Sequence, residues 1–328
     1  MITCYTLVDG MLTPHAIKPG TALPQGALWI DLHCPTDEEE KFLEDSLAVN
    51  IPTQEEIAEI EESSRLYESE RAIHLTTTVV SGFNEHQPHA TVLNFVLTPE
   101  WLVTVRYAEM SAFRAFRTKV GQHPAMHQRS DTIFISLLDS LVDRIADILE
   151  SVQAHHNRLA SAIFNEQTPD PDSPRAPKTD LQSIVKQLGR SNLLLARLSD
   201  SLLGINRLVS YIRRAAREWI SRDAKDWMKT VERDARSLGD YQARMNTEVG
   251  FLLDATLGLI NIEQNSIIKV FSIASVLFLP PTLVGTVYGM NFHSMPELDW
   301  TFGYPMALVA MIISAIIPYG WFKFRGWL

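Results

Sequence analysis

Residues Val270–Met290 read VFSIASVLFLPPTLVGTVYGM, and Gly303–Phe322 read GYPMALVAMIISAIIPYGWF. Neither stretch contains Asp, Glu, Lys or Arg. A helix of about 20 apolar residues spans the hydrocarbon of a bilayer, so each stretch is long enough to cross. The short connection between them predicts a hairpin: a first transmembrane helix over 267–290, an outer loop over 291–302 and a second helix over 303–322. A pair of buried core helices is the competing reading, and the Trp321 and Trp327 flanking the tail speak against it. Lys269 precedes the first span and Lys323 and Arg325 follow the second, whereas the loop carries Glu297 and Asp299. Positive flanks stay on the cytosolic side, so both termini and the basic tail 323–328 are expected there. The start MITCYTLVDGML lacks the charged and long apolar regions of a signal peptide, which fits that orientation.

Outward from the hairpin, charge dominates. Of 328 residues 46% are apolar and the formal net charge is -10, but residues 1–70 alone hold 15 acidic side chains against 3 basic ones. So acidic a region repels phosphate backbones, and no nucleic-acid partner is expected. It reads either as a solvated face or as a lure for divalent cations. Cys4 and Cys34 are too few for a disulfide framework or thiolate metal site and are expected to be buried small side chains.

The first part of the chain predicts an α/β domain with a helical extension over 1–165. Strand-like runs lie at Cys4–Val8, Leu28–Leu32, Ala72–Ser81, Thr91–Leu97 and Trp101–Arg106. Thr36 with Glu39, and Thr53 with Glu56, are capping boxes that open helices near 37–48 and 54–63. Apolar residues at helical spacing from Ile133 to Leu149 predict a helix continuing to Phe164. Four prolines mark 166–177 as a turn between antiparallel helices. From Lys178 a second helical stripe runs without proline to Leu279, and the region 178–266 reads as a long stalk.

Pro280 and Pro281 sit inside the first span, followed by Thr282, Gly285, Thr286 and Gly289. This small, polar face suits either a pore lining or ordinary helix packing. Two helices cannot surround an aqueous path, so a transporter of this design needs a ring of subunits, each giving one pore helix. A pore without carboxylates favours a cation that keeps much of its water, and Mg²⁺ dehydrates reluctantly. Dewetting gates and neutral solutes fit the same pattern.

Tyr288-Gly289-Met290-Asn291-Phe292, Met295-Pro296-Glu297-Leu298, Phe302-Gly303-Tyr304-Pro305 and the Trp327-Leu328 ending closely resemble the CorA-type magnesium transporter family. The resemblance is specific over residues 260–328 and architectural before that. It implies a funnel-shaped homopentamer in the bacterial inner membrane, in which an α/β domain and a stalk helix lead into a central pore. It also implies that Asn291 lines the outer mouth and contacts hydrated magnesium, with Gly289 and Met290 holding the ring. Counting back, it gives inward roles to Thr282 and Asn265 and makes Leu279, Phe271 and Ile268 candidate hydrophobic constrictions. A lone stalk amide such as Asn265 also fits a surface or register-setting role. Mg²⁺ is then both transported ion and regulatory ligand, the latter bound between subunits; Asp31, Asp37, Glu38, Glu39 and Glu40 are among the available carboxylates. His293-Ser294 replaces the glutamate that many relatives carry after the motif and opens the way to a transition-metal preference. Magnesium is the expected ion, with Co²⁺ and Ni²⁺ as further substrates. The alternatives are a zinc or broad divalent carrier of the same superfamily, and a membrane-anchored coiled-coil scaffold.

Enzyme chemistry is not expected. The sequence has no phosphate-cradling glycine loop, no HExxH and no nucleophile elbow, so no nucleotide partner is called either. His155-His156 falls within a helix, where neighbours face apart, and reads as surface. The expected partners are lipid, divalent cations and further copies of this chain.

Overall fold

Runs rich in Val, Ile, Thr and aromatic residues pair into one seven-stranded sheet. The strands are β1 (Ile2–Val8), β2 (Met11–Ile17), β3 (Ala27–His33), β4 (Leu66–Glu68), β5 (Ile73–Ser81), β6 (His89–Leu97) and β7 (Leu102–Arg106), ordered β2-β1-β3-β7-β6-β5-β4. The β3–β7 pair is parallel, and the others are antiparallel. The computed structural model describes residues 1–57, 61–83, 88–164, 180–291, 295–296 and 300–326. The proline-rich turn at 166–177, His293 and Ser294, Glu297 and Asp299, and Trp327 and Leu328 lie outside them. The chain divides into two units, Met1–Leu253 and Asp254–Leu328.

Period-two alternation gives the sheet two apolar faces. On one, Ile2, Cys4, Ile30, Leu32, Val96, Val103 and Val105 pack with Leu43 of α1 (Asp37–Leu47) and Ile57 of α2 (Gln54–Ile57). The Thr36–Glu39 capping box starts α1: the Glu39 amide donates to Thr36 Oγ1 at 3.3 Å, and the Thr36 amide to Glu39 Oε2 at 3.1 Å. A short helix, α3 (Glu62–Arg65), leads into β4. The opposite face carries Trp29 and Phe95, which meet Phe116 of α4 (Ser111–Gln122) at 5.2 Å and Phe134 of α5 (Ser130–Phe164) at 5.1 Å between ring centroids. Burying each such ring stabilises the unit by about 1.5–3 kcal/mol.

The helical region 178–266 is interrupted. It forms α6 (Leu181–Ala215) and then α7 (Arg222–Tyr288), with a turn between them. The Ser221 amide donates to the buried Asp131 at 2.7 Å, and Ser221 Oγ accepts from the Ala224 amide at 3.2 Å, so a side-chain cap starts α7. α6 packs on β5, and their approach is close at Gly204, where a Cβ would lie 2.2 Å from Thr77 Oγ1. α7 has 67 residues, about 100 Å of helix, and its N-terminal half belongs to the first unit. There the Gln242 side-chain amide donates to the Leu195 carbonyl at 3.0 Å, and Tyr241 Oη donates to Gln153 Oε1 at 3.3 Å, tying α7 to α6 and α5.

Two local expectations are corrected. Cys34 is exposed, because it occupies a left-handed turn after β3 (φ +45°), while Cys4 is buried as expected. His156 is fully buried on α5, since it falls on the apolar stripe with Val152, Leu159 and Ile163. Burial, its main influence, holds the His156 ring below the usual histidine pKa.

Candidate functional site

In the second unit α7 continues to Tyr288 and α8 covers Gly303–Phe324. Both are long and apolar enough to cross a membrane. None of the most apolar stretch of α7 is buried inside the chain, which separates it from a core helix. Its two sides differ. Ile273, Leu277, Pro281, Val284, Gly285 and Tyr288 are half-buried. On this side α8 comes close, for a Cβ on Gly285 would sit 3.1 Å from Met311 Cε. The small residue at 285 therefore serves helix packing.

The opposite side is bare. Ile268, Phe271, Ser275, Leu279, Thr282 and Thr286 follow one another at spacings of three and four, forming one stripe along α7. Phe271 is 70% exposed and Leu279 68%. A contiguous exposed apolar stripe of this size marks a surface that meets lipid or another protein chain. Three hydroxyls interrupt the apolar stripe, and each donates its hydrogen to the carbonyl one turn back. Ser275 bonds the Phe271 oxygen at 2.9 Å, Thr282 the Phe278 oxygen at 2.7 Å and Thr286 the Thr282 oxygen at 2.8 Å. With its hydrogen committed, each hydroxyl presents only lone pairs outward.

The prolines explain part of this design. Pro280 and Pro281 carry no N–H, so the carbonyls of Val276 and Leu277 lose their usual donors, yet the helix runs through them. Thr282, directly after the prolines, adds a side-chain bond to the weakened turn. Gly289 follows the last residue of α7, and its amide donates to the Gly285 carbonyl at 3.0 Å. A Cβ there would press to 3.1 Å on that same carbonyl, so a glycine lets the last turn close. Met290 and Asn291 follow, both exposed.

The structure thus places the candidate residues along a line and does not gather them into one pocket. Asn265 and Thr282 lie about 25 Å apart on the helix axis, with Asn291 beyond the helix end. Asn265 is fully in the exposed part of α7, three residues before Ile268. Ser275, to which the sequence reading assigns no role, shares the stripe; its spacing of four from Phe271 and from Leu279 is the signal that finds it.

The acidic residues of the first unit have other work. Asp31 is buried in an ion pair with Arg106: Nη2 donates to Oδ2 at 2.9 Å and Nε to Oδ1 at 3.1 Å, while Thr104 Oγ1 adds a third bond at 2.8 Å. That commitment removes Asp31 from the candidate regulatory ligands. Glu39 binds the Met1 ammonium at 2.6 Å in addition to its capping role. Glu40 is buried and accepts from Tyr107 Oη at 3.2 Å; burial outweighs that bond and raises its carboxyl pKa. Asp37 and Glu38 are exposed in the first turn of α1, where they complement the helix dipole. Among the described residues no three His, Cys, Asp or Glu side chains are grouped to hold a metal.

With this geometry in view, the model of the CorA-like Mg²⁺ transporter protein family matches residues 24–323. The chain belongs to that family. Its members transport magnesium and are not enzymes. Among curated proteins, this CorA-like chain is 32% identical to the magnesium transport protein CorA of Pasteurella multocida and 31% identical to that of Salmonella typhimurium, over the full length of each. Among solved structures it resembles the CorA magnesium transporter from Methanocaldococcus jannaschii, with a TM-score of 0.74 and 16% identity, covering 100% of this chain and 99% of that one. The likeness in fold takes in the sheet unit, the long α7 and the two apolar C-terminal helices. Membrane association of these two helices agrees with the family.

Proposed function

We propose that five copies of the chain form a magnesium channel in a bacterial inner membrane, with both termini in the cytosol and Mg²⁺ entering down the membrane potential. The observation that carries this reading is the bare stripe on α7, with hydroxyls whose hydrogens are already committed. Water bound to Mg²⁺ turns its oxygen to the ion and its hydrogens outward, so the surrounding wall must accept hydrogen bonds. Thr282, Ser275 and Thr286 offer acceptors in this sense, and the carbonyl oxygen of Asn291 can do the same at the outer end. Gly289 and Met290 position that asparagine, and Asn265 continues the polar lining toward the cytosol. Leu279, Phe271 and Ile268 alternate with these acceptors as rings that water leaves readily, the physical basis of a hydrophobic gate. Five-fold closure covers the bare stripe, which no single chain does.

Two charges crossing an inside-negative membrane gain about 4.6 kcal/mol per 100 mV, enough to drive uptake without a nucleotide. Cytosolic Mg²⁺ bound between subunits closes the channel in this scheme, and Co²⁺ and Ni²⁺, of equal charge, share the path. The test is Mg²⁺ influx into proteoliposomes under an inside-negative potential, for the intact chain and for Asn291→Ala. Influx that falls at least tenfold in a variant still assembled as a pentamer supports the reading. Unchanged influx removes Asn291 from the path. Absence of magnesium influx in both proteins, with Zn²⁺ uptake under a proton gradient, replaces the ion.

A further inference from the structure

The hairpin has an apolar groove between α7 and α8 at the end away from Asn291, lined by Ile273, Val276 and Leu277 of α7 and by Tyr319 and Phe322 of α8. Gly285 meets Met311, and Ile273–Leu277 meet Tyr319–Phe322, so the two helices are antiparallel neighbours at this register and the five groove residues lie at one depth. Lys269 stands four residues before Ile273, and Lys323 four residues after Tyr319. At that spacing each lysine lies on the same face as its groove residue, one turn or about 6 Å further out. Both are exposed, and neither has an ion-pair or hydrogen-bond partner among the described residues. Arg325, the next cation, is engaged over the Trp321 ring at 5.5 Å from its centroid.

From this juxtaposition we propose that the groove and its two lysines form a binding site for an anionic glycerophospholipid, with an acyl chain along Ile273, Val276, Leu277, Tyr319 and Phe322 and the headgroup between Lys269 and Lys323. Charge complementarity selects the occupant. A zwitterionic lipid fills the groove equally well, but its own ammonium group opposes the two lysines. A cation is repelled there, and a soluble anion gains nothing from the apolar walls. The two lysines belong to separate helices, so a shared headgroup ties the ends of α7 and α8 together. The inference rests on the membrane reading of the hairpin and is independent of which ion the chain carries.

Native mass spectrometry of the detergent-solubilised full chain, competed with phosphatidylglycerol against phosphatidylcholine of the same acyl chains, reads the site directly. A basic side chain at an anionic surface contributes about fivefold in affinity, so each of Lys269→Gln and Lys323→Gln is expected to lower the preference for phosphatidylglycerol about fivefold, and the pair on the order of 25-fold. Lys269→Arg with Lys323→Arg retains the preference. Ile273→Trp, which fills the groove, lowers retention of both lipids while the basic rim stays intact. An unaltered preference in the double glutamine variant, or no preference in the parent chain, overturns the proposal. Because nothing in this readout depends on ion flux, a failed transport assay and a failed lipid assay remain distinct.

Discussion

Gly204→Ala tests how closely helix α6 and strand β5 are fitted. Alanine is ordinarily the better helix residue by about 1 kcal/mol. At this position the added Cβ would lie 2.2 Å from Thr77 Oγ1, whereas its distance to Thr77 Cβ, 3.4 Å, is ordinary contact. The hydroxyl alone is in the way, and relief requires a movement of about 1 Å in a close-packed interior, which costs about 1–3 kcal/mol. Net destabilisation of up to about 2 kcal/mol is therefore expected for the single variant. Thr77 Oγ1 is buried without a hydrogen-bond partner among the described residues, so its removal forfeits little. Thr77→Ala/Gly204→Ala should accordingly be more stable than the single variant and close to the parent, since the helix gain offsets the roughly 1 kcal/mol lost with the buried γ-methyl of Thr77. Gly189, on the same helix with nothing near its missing Cβ, supplies the control: Gly189→Ala is expected to stabilise by about 1 kcal/mol. Thermal unfolding of the full chain in detergent, followed by intrinsic fluorescence, reads the parent and the three variants, at about 2–4 °C per kcal/mol for a unit of this size. A Gly204→Ala protein as stable as Gly189→Ala, or a double variant no better than the single one, would refute the close-approach account.

Replacing Asp31 by Ala leaves the buried Arg106 guanidinium with only Glu109 and the Ala108 carbonyl among its described partners, at an expected cost of about 3 kcal/mol in unfolding measurements; a loss under 1 kcal/mol would mean water reaches the pair. His74 is fully buried and burial lowers its pKa to about 4, against 6.5 for the free side chain. Above pH 6.5 both folded and unfolded states hold it neutral; as pH falls from 6.5 toward 4 the unfolded state takes up the proton first, so stability declines by on the order of 3 kcal/mol across that window. His74→Gln should flatten the decline, and an identical pH profile in the variant would assign it to other groups. In transport, Thr282→Val keeps the shape and removes the outward lone pairs, so Mg²⁺ influx is expected to fall at least tenfold while Thr282→Ser stays near the parent; equal rates for valine and serine would show that the hydroxyl is not used.

The spans and the Gly289-Met290-Asn291 end of α7 were legible because their signals are local and continuous. So were most strands, whose β-branched runs declare themselves without knowledge of the partner. β2 is not legible in the sequence because Pro14 argues against a strand; it is tolerated at the sheet edge, where among the described residues β2 pairs with β1 alone. The Asp9-Gly10 turn, with φ of +49° and +81°, is the local signal for the β1–β2 hairpin. The break between α6 and α7 carries neither proline nor glycine; Ser221 alone marks it, and its anchor Asp131 is 90 residues distant. Asp31 belongs to the same class. Its partner Arg106 is 75 positions away, so nothing near Asp31 distinguishes a buried structural carboxylate from a solvated one.

In the proposed pentamer the bare stripe on α7 would likewise find distant partners, on other copies of the chain. A carboxylate facing inward from α7 would meet four copies of itself on closing a five-fold ring, and like charges at that spacing in a low-dielectric surrounding repel strongly. Hydroxyls and amides avoid that repulsion, and because the hydroxyl hydrogens are held by the helix, all five copies of the proposed ring would turn the same polarity inward at once. A wall so formed would be set for the outward hydrogens of a hydrated cation before any ion arrives. An ion that sheds its shell would gain little from so few weak acceptors, whereas one that keeps its water meets them without that cost. In the proposed channel the lack of charge in α7 between Val270 and Tyr288 would suit passage of a strongly hydrated ion driven by the membrane potential.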